Sequence, residues 1–223
     1  MHSTSTTTAN IKKVISLNTT ALDCMSQGLY RQAQLTLRQA LEELKSYANG
    51  MIPEAASHTH NEEICIHVFP SKVLDHYKDA SCQLFTRPFY IVSNQEVSEL
   101  SCVSETDVNL LSAALLFNMA LSYQVKSGFS ADNKKATAFY RLALSTCQRI
   151  QVHCQQDAET CLLAVALGNN LACCFADYFL YQQLESCIEW TLEAAEEMMG
   201  DYSFFWTNLI AWQNTECLAA SAA

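Results

Sequence analysis

Within ten residues, His58, His60, Glu62, Glu63, Cys65 and His67 bring together six side chains able to ligate a metal. Zinc needs three or four such donors converging tetrahedrally, and the H-x-H and C-x-H spacings on an alternating strand put pairs of them on one side. The spacing matches none of the usual Cys/His zinc patterns. An exposed loop is therefore expected here, and no cofactor. A metal- or redox-responsive role for His58, His60, Cys65 and His67 is the alternative.

The second reactive set is the cysteines, eleven in all. Cys147, Cys154 and Cys161 stand seven apart, a single stripe if one helix carried all three, but Asp157 reads as the start of a new helix. A nucleophilic thiol needs a neighbouring base or cation to lower its pKa, and only His153 lies near these three in sequence. Cys173 and Cys174 read as core thiols. No glycine-rich phosphate loop, nucleophile elbow or paired-carboxylate motif is present, so no catalytic residue and no enzymatic activity are expected.

Composition narrows the class of fold. Half of the 223 residues are apolar and 16% are charged, which excludes disorder over most of the chain. Five glycines and three prolines are too few for the turns of a β-sandwich or a doubly wound α/β sheet. The formal charge of −10 is uneven: residues 1–149 carry 13 basic and 13 acidic side chains, whereas residues 150–223 carry ten acids and no Lys or Arg. Phosphate recognition needs clustered cations, so nucleic acid is not an expected partner. The opening residues lack the apolar core of about 7–15 residues that a secretory signal carries, and no uninterrupted apolar run reaches ~18 residues, so a cytoplasmic protein with free thiols and no membrane span is expected.

The elements follow from periodicity. Residues 10–27 read as a helix, and Gly28 marks a turn into a second helix with Ala33, Leu37, Ala40, Leu41 and Leu44 on one face; Asn49-Gly50 and Pro53 end it. All three prolines fall between 53 and 88, where two alternating segments, Ile64–Phe69 and Leu84–Val92, form a possible short β-hairpin. A buried helix from Leu110 to Val125 follows, with Asp107 as its cap. Further helices are expected at about 133–153, at 157–179, and from Leu184 to Gly200, with an aromatic one from Phe204 to Trp212. Glu185, Glu189 and Glu193 make an acidic stripe, read as a solvated face.

The helices carry an internal repeat. Leu116-x2-Met119-Ala120-x2-Tyr123 followed by Ala136-x3-Tyr140-x2-Ala143 aligns with Gly168-x2-Leu171-Ala172-x2-Phe175 and Leu184-x3-Ile188-x2-Thr191. It also aligns with Leu17-x2-Thr20-Ala21-x2-Cys24 and Ala33-x3-Leu37-x2-Ala40. This resembles the tetratricopeptide repeat (TPR) over residues 10–48 and 110–200, without the family's terminal Pro and with uneven spacing between copies. The resemblance implies an all-α, right-handed TPR-like solenoid of about three helical hairpins. Its divisions are a flexible 1–9, hairpins at 10–48, 107–156 and 157–200, an irregular insert at 49–106, and a capping helix and tail at 201–223.

It further implies a non-enzymatic scaffold or adaptor that takes a protein or peptide partner in a concave groove lined by the first helix of each hairpin. The matching positions are Asn18, Leu22 and Met25, then Phe117, Asn118, Leu121 and Gln124, then Asn169, Asn170, Cys173 and Asp177. Asparagine recurs. Its amide both donates and accepts, so a series of them can hold a peptide backbone whatever its sequence. The absence of Lys and Arg at these positions disfavours a C-terminal carboxylate as ligand. The other use of Asn118 and Asn170 is internal, bonding nearby backbone to fix the hairpins.

Overall fold

The structure, a computed structural model, describes residues 4–50, 63–64, 66–72, 74, 84–93, 102–127, 132–151, 158–178, 180–196 and 205. They form six helices and four short strands: α1 (Thr4–Ser26), α2 (Tyr30–Gly50), β1 (Glu63–Ile64), β2 (Ile66–Pro70), β3 (Phe89–Ser93), β4 (Cys102–Val103), α3 (Glu105–Ser127), α4 (Asp132–Gln151), α5 (Ala158–Asp177) and α6 (Tyr181–Glu196). The chain is mostly helical, as its composition demands. His58, His60 and Cys65, the candidate ligands of the alternative reading, lie outside the described residues, as do Cys154 and, except for Phe205, the aromatic run from Phe204 to Trp212.

Helices α1 and α2, α3 and α4, and α5 and α6 pack as three consecutive hairpins; α2 packs on α3 and α4 on α5. The first helices also touch in series, α1 to α3 and α3 to α5. Hairpin 1 turns on Gly28, whose φ of 74° is open to a residue without Cβ. Leu29 N–H donates to Cys24 O at 2.8 Å and Gly28 N–H to Met25 O at 3.0 Å, the paired bonds of a Schellman ending. Gln34 of α2 donates to the Ser122 carbonyl of α3 at 3.4 Å and ties hairpin 1 to hairpin 2.

Three local features differ from the sequence reading. Helix α1 starts at Thr4, inside the segment 1–9 expected to be frayed. Once Ile11 and Val14 are buried, each residue added upstream costs little, because nucleation has already occurred. At α3 the cap is Ser104 rather than Asp107: Asp107 N–H donates to Ser104 Oγ at 3.0 Å, and Ser104 Oγ–H returns a 2.6 Å bond to the Asp107 carboxylate. Ser104 thus serves as an N-cap whose hydroxyl is held in place by the Asp107 carboxylate in the third helical position. In hairpin 3 the close approach falls at Gly168, where a Cβ would land on Thr191 Oγ1 and lie 3.0 Å from Thr191 Cβ. Glycine there lets α6 seat against α5, while Leu184 fills the position held by small Ala33 and Ala136 in the other hairpins.

Helix α3 is long and apolar enough to cross a membrane by length and composition alone, and most of its apolar window is buried against neighbouring elements. A central core helix has this character.

The insert folds back on the helices. Strand β2 pairs antiparallel with β3 in the register Ile66↔Ser93, Val68↔Ile91 and Pro70↔Phe89, and β1 pairs in parallel with β4. Strands β2 and β3 lie against the first helices of the hairpins, β3 on α1 and α3, and β2 on α3 and α5. Along both strands burial alternates: Ile66, Val68, Phe89 and Ile91 face inward, while Phe69 and Val92 face out. The edge of the pair is tied to the α3 cap through Ile66 N–H, which donates to Asp107 Oδ1 at 3.3 Å.

Candidate functional site

The surface formed by α1, α3 and α5 is filled by the chain's own residues 84–93. Asn118 of α3 takes both polar groups of the Phe89 backbone: Phe89 N–H donates to Asn118 Oδ1 at 2.7 Å, and Asn118 Nδ2 donates to Phe89 O at 2.8 Å. Asn18 of α1 adds a second donor to Phe89 O at 3.0 Å, and its own Oδ1 accepts the remaining Asn118 proton at 2.9 Å. One hairpin further along the chain, Asn170 of α5 repeats the arrangement at Phe85. Phe85 N–H donates to Asn170 Oδ1 at 2.8 Å, and Asn170 Nδ2 donates to Phe85 O at 3.0 Å. All three asparagines are fully buried.

This geometry follows from strand alternation. In an extended segment the N–H and C=O of one residue point to the same edge, and those of the next to the opposite edge. Residues 85 and 89 therefore present their groups to the helices. Residues 86 and 88 present theirs to the returning chain, where Leu74 N–H donates to Thr86 O at 3.3 Å and Ser71 N–H to Pro88 O at 2.7 Å. Each amide side chain stands where a neighbouring strand's peptide group would be, so the helices close the β3 side of the insert without a further strand. Pro88, which has no N–H, sits between two clamped residues. Arg87 Nε reaches across to Ser71 O at 2.7 Å.

The side chains of the clamped residues make an aromatic cluster. Phe89 packs edge-on to Phe117 with centroids 5.0 Å apart, and Phe117 meets Tyr140 at 5.6 Å. Phe85 lies 5.9 Å from Phe89, 6.3 Å from Phe117 and 5.4 Å from Phe205. Such pairs add about 0.5–1.5 kcal/mol each beyond their burial. Phe85 and Phe89 are thus held twice, by backbone through asparagine and by ring through Phe117.

The polar network continues into the hairpins. Asn170 Nδ2 also donates to Tyr140 Oη at 3.0 Å, Tyr140 Oη–H donates to Gln124 Oε1 at 2.9 Å, and Gln124 Nε2 lies 3.5 Å from Cys174 Sγ. Asn169 Nδ2 donates to Asn170 Oδ1 at 3.1 Å. Asn170 thereby uses both protons and accepts twice, which fixes its amide orientation.

The positions proposed from sequence therefore divide. Asn18, Asn118 and Asn170 converge on the extended segment, and Phe117 supplies its aromatic wall. Gln124 and Asn169 support Asn170 from behind. Leu22, Met25, Leu121 and Cys173 are buried. Asp177 ends α5, and its side chain lies outside the described residues. Phe85 and Phe89 themselves went unremarked in the sequence; their signal was the alternating run Leu84–Val92, with two aromatics four apart and both on its inward side.

Elsewhere, His67 stacks on Phe69 at 6.0 Å, and among the described residues no group of three or more His, Cys, Asp or Glu is placed to hold a metal. Cys147 and Cys187 are buried, and burial pushes both thiols up to about 12, although Thr191 and the Ala172 backbone pull Cys187 the other way. At neutral pH neither offers a thiolate nucleophile. Glu185 and Glu189 are exposed on α6.

Comparison with known proteins finds no family model that matches the chain, no similar curated protein and no similar solved structure.

Proposed function

We propose that this chain is a non-enzymatic protein-interaction scaffold, built as a right-handed TPR-like solenoid of three helical hairpins, that holds an extended peptide in the groove of α1, α3 and α5. The observation carrying this reading is the two-point grip of Asn118 and Asn170 on the backbone N–H and C=O of Phe89 and Phe85. Buried amides on α3 and α5, each bonded to both polar groups of one residue of an extended backbone, form a peptide-holding device, and it is indifferent to side-chain identity except where the rings enter. A partner in this groove competes with the resident segment. A cytoplasmic setting, in keeping with eleven cysteines, belongs to the same proposal.

The test is affinity capture from native extract with wild type and with an Asn118→Ala, Asn170→Ala variant, both checked for helical content by circular dichroism. Specific loss of a co-purifying protein with the variant supports the reading. The same proteins with both forms, or none with either, overturns it.

A further inference from the structure

Resting on that reading, we infer that the groove recognises an extended segment with aromatic side chains four residues apart, and that residues 84–89 occupy it in place of a partner's segment of that kind. Three observations converge on this partner.

The first is the spacing of the grips. Asn170 and Asn118 take the backbones of Phe85 and Phe89 and skip the three residues between. At ~3.3 Å per residue the grips lie about 13 Å apart along the segment. Four is an even number, so both gripped residues present the same edge to the helices. An odd spacing would turn one of them away.

The second is the ring pocket. Phe117, backed by Tyr140, meets both resident rings, and Phe205 lies beside Phe85; none of these three belongs to the resident segment. They would receive the rings of an incoming segment in the same places. Of the intervening positions Pro88 is buried, whereas Thr86 and Arg87 are only half-buried, and the bonds of these two go to the returning chain rather than to the helices.

The third is the opposite edge. Residues 66–74 bond to Thr86 and Pro88 and pair with β3, so a segment entering between them and the asparagines gains main-chain bonds on both sides. This is strand addition with amide side chains standing for one of the two flanking strands. Because the bonds at positions 85 and 89 come from N–H groups, proline is excluded at both of those positions in a partner. At position 88 it is accepted.

The resident segment is covalently attached and so competes at an effective concentration in the ~mM range. A free peptide therefore gains access when the resident rings are removed. The probe is a fluorescently labelled synthetic peptide of residues 84–93, read by anisotropy against the full chain carrying Phe85→Ala and Phe89→Ala, with thermal unfolding followed in parallel. The peptide is expected to bind this variant at least tenfold more tightly than it binds wild type, and at least tenfold more tightly than a peptide with Ala at both ring positions binds. It should also raise the variant's unfolding temperature. Adding Asn118→Ala to the variant should abolish both effects. If the variant folds poorly alone, peptide-dependent recovery of helical circular dichroism reads the same event.

Equal binding of the Phe and Ala peptides overturns the aromatic rule while leaving the scaffold reading intact. Absence of both binding and recovery overturns the inference, and the capture experiment then decides the scaffold reading separately. Binding that survives Asn118→Ala places the peptide elsewhere and also overturns it.

Discussion

Replacing Asn118 by Ala separates a buried amide that bonds an extended backbone from one that merely fills space. Asn118 makes three bonds: it accepts from Phe89 N–H and donates to Phe89 O and to Asn18 Oδ1. Phe89 O keeps its bond from Asn18 when Asn118 is lost, so the groups left without these partners are Phe89 N–H and Asn18 Oδ1. At about 1–3 kcal/mol for each buried polar group stranded, Asn118→Ala should cost about 2–6 kcal/mol. Asn18→Ala strands one Asn118 proton and should cost about 1–3 kcal/mol on the same scale. The double variant strands only the two Phe89 groups, so it should cost about as much as Asn118→Ala alone and fall about 1–3 kcal/mol short of the sum of the singles. Urea unfolding of the four proteins, with the midpoint and slope fitted for each, measures all of these quantities. Additive losses, or an Asn118→Ala cost no larger than that of Asn18→Ala, would refute the bonding scheme.

Other outcomes follow from the same structure. Ser104→Ala removes the α3 cap and should lower stability by about 0.5–2 kcal/mol in urea unfolding, whereas a cost near zero would contradict the role of Ser104 as the cap. Gly168→Ala gains about 1 kcal/mol of helix propensity but drives a methyl group into Thr191, so a net loss of stability is expected in thermal unfolding, and a gain would show that α5 and α6 can separate at no cost. Cys147 and Cys187 hold their protons to about pH 12 when folded, against an ordinary 9.0. Their contribution is complete below pH 9 and is lost as pH rises from 9 towards 12, because the unfolded chain releases protons that the folded one keeps. A Cys147→Ala, Cys187→Ala variant should therefore lose less stability than wild type between pH 8 and pH 10.5, and equal losses would contradict the burial of these thiols.

Much of the helical part was legible in the sequence, because the apolar period and the Gly28 and Gly50 stops are local signals. The spacing of Ala21 and Ala33, and of Ala120 and Ala136, likewise marked the hairpins. Where the reading slipped, a competing local effect was at work. Ser104 lost the cap assignment to Asp107 because both are capping residues and only the reciprocal bond distinguishes them. The Thr-rich start looked frayed because propensity alone omits the benefit of extending a helix that already exists. Gly168 stands where the other two copies carry Leu17 and Leu116, and nothing local said that Thr191 would lie against it.

The site was legible by half. The asparagines at 18, 118 and 170 stood out as backbone-binding groups, and both uses then open for them involved backbone. Which backbone they hold depends on contacts between residues 71 and 85 positions apart in sequence, and periodicity carries no information over such distances. The run Leu84–Val92 showed a strand with an inward aromatic side but not the surface that side would meet.

The central claim is that amides of α1, α3 and α5 hold residues 84–89 as a bound extended segment. Native-state hydrogen exchange, resolved by residue in the full chain, tests it most directly. The Phe85 and Phe89 amides should exchange as slowly as those of the buried middle of α3, and in Asn118→Ala the Phe89 amide should accelerate well beyond the change seen across α3. Exchange of Phe85 and Phe89 at the rate of an unstructured peptide in wild type would contradict the claim.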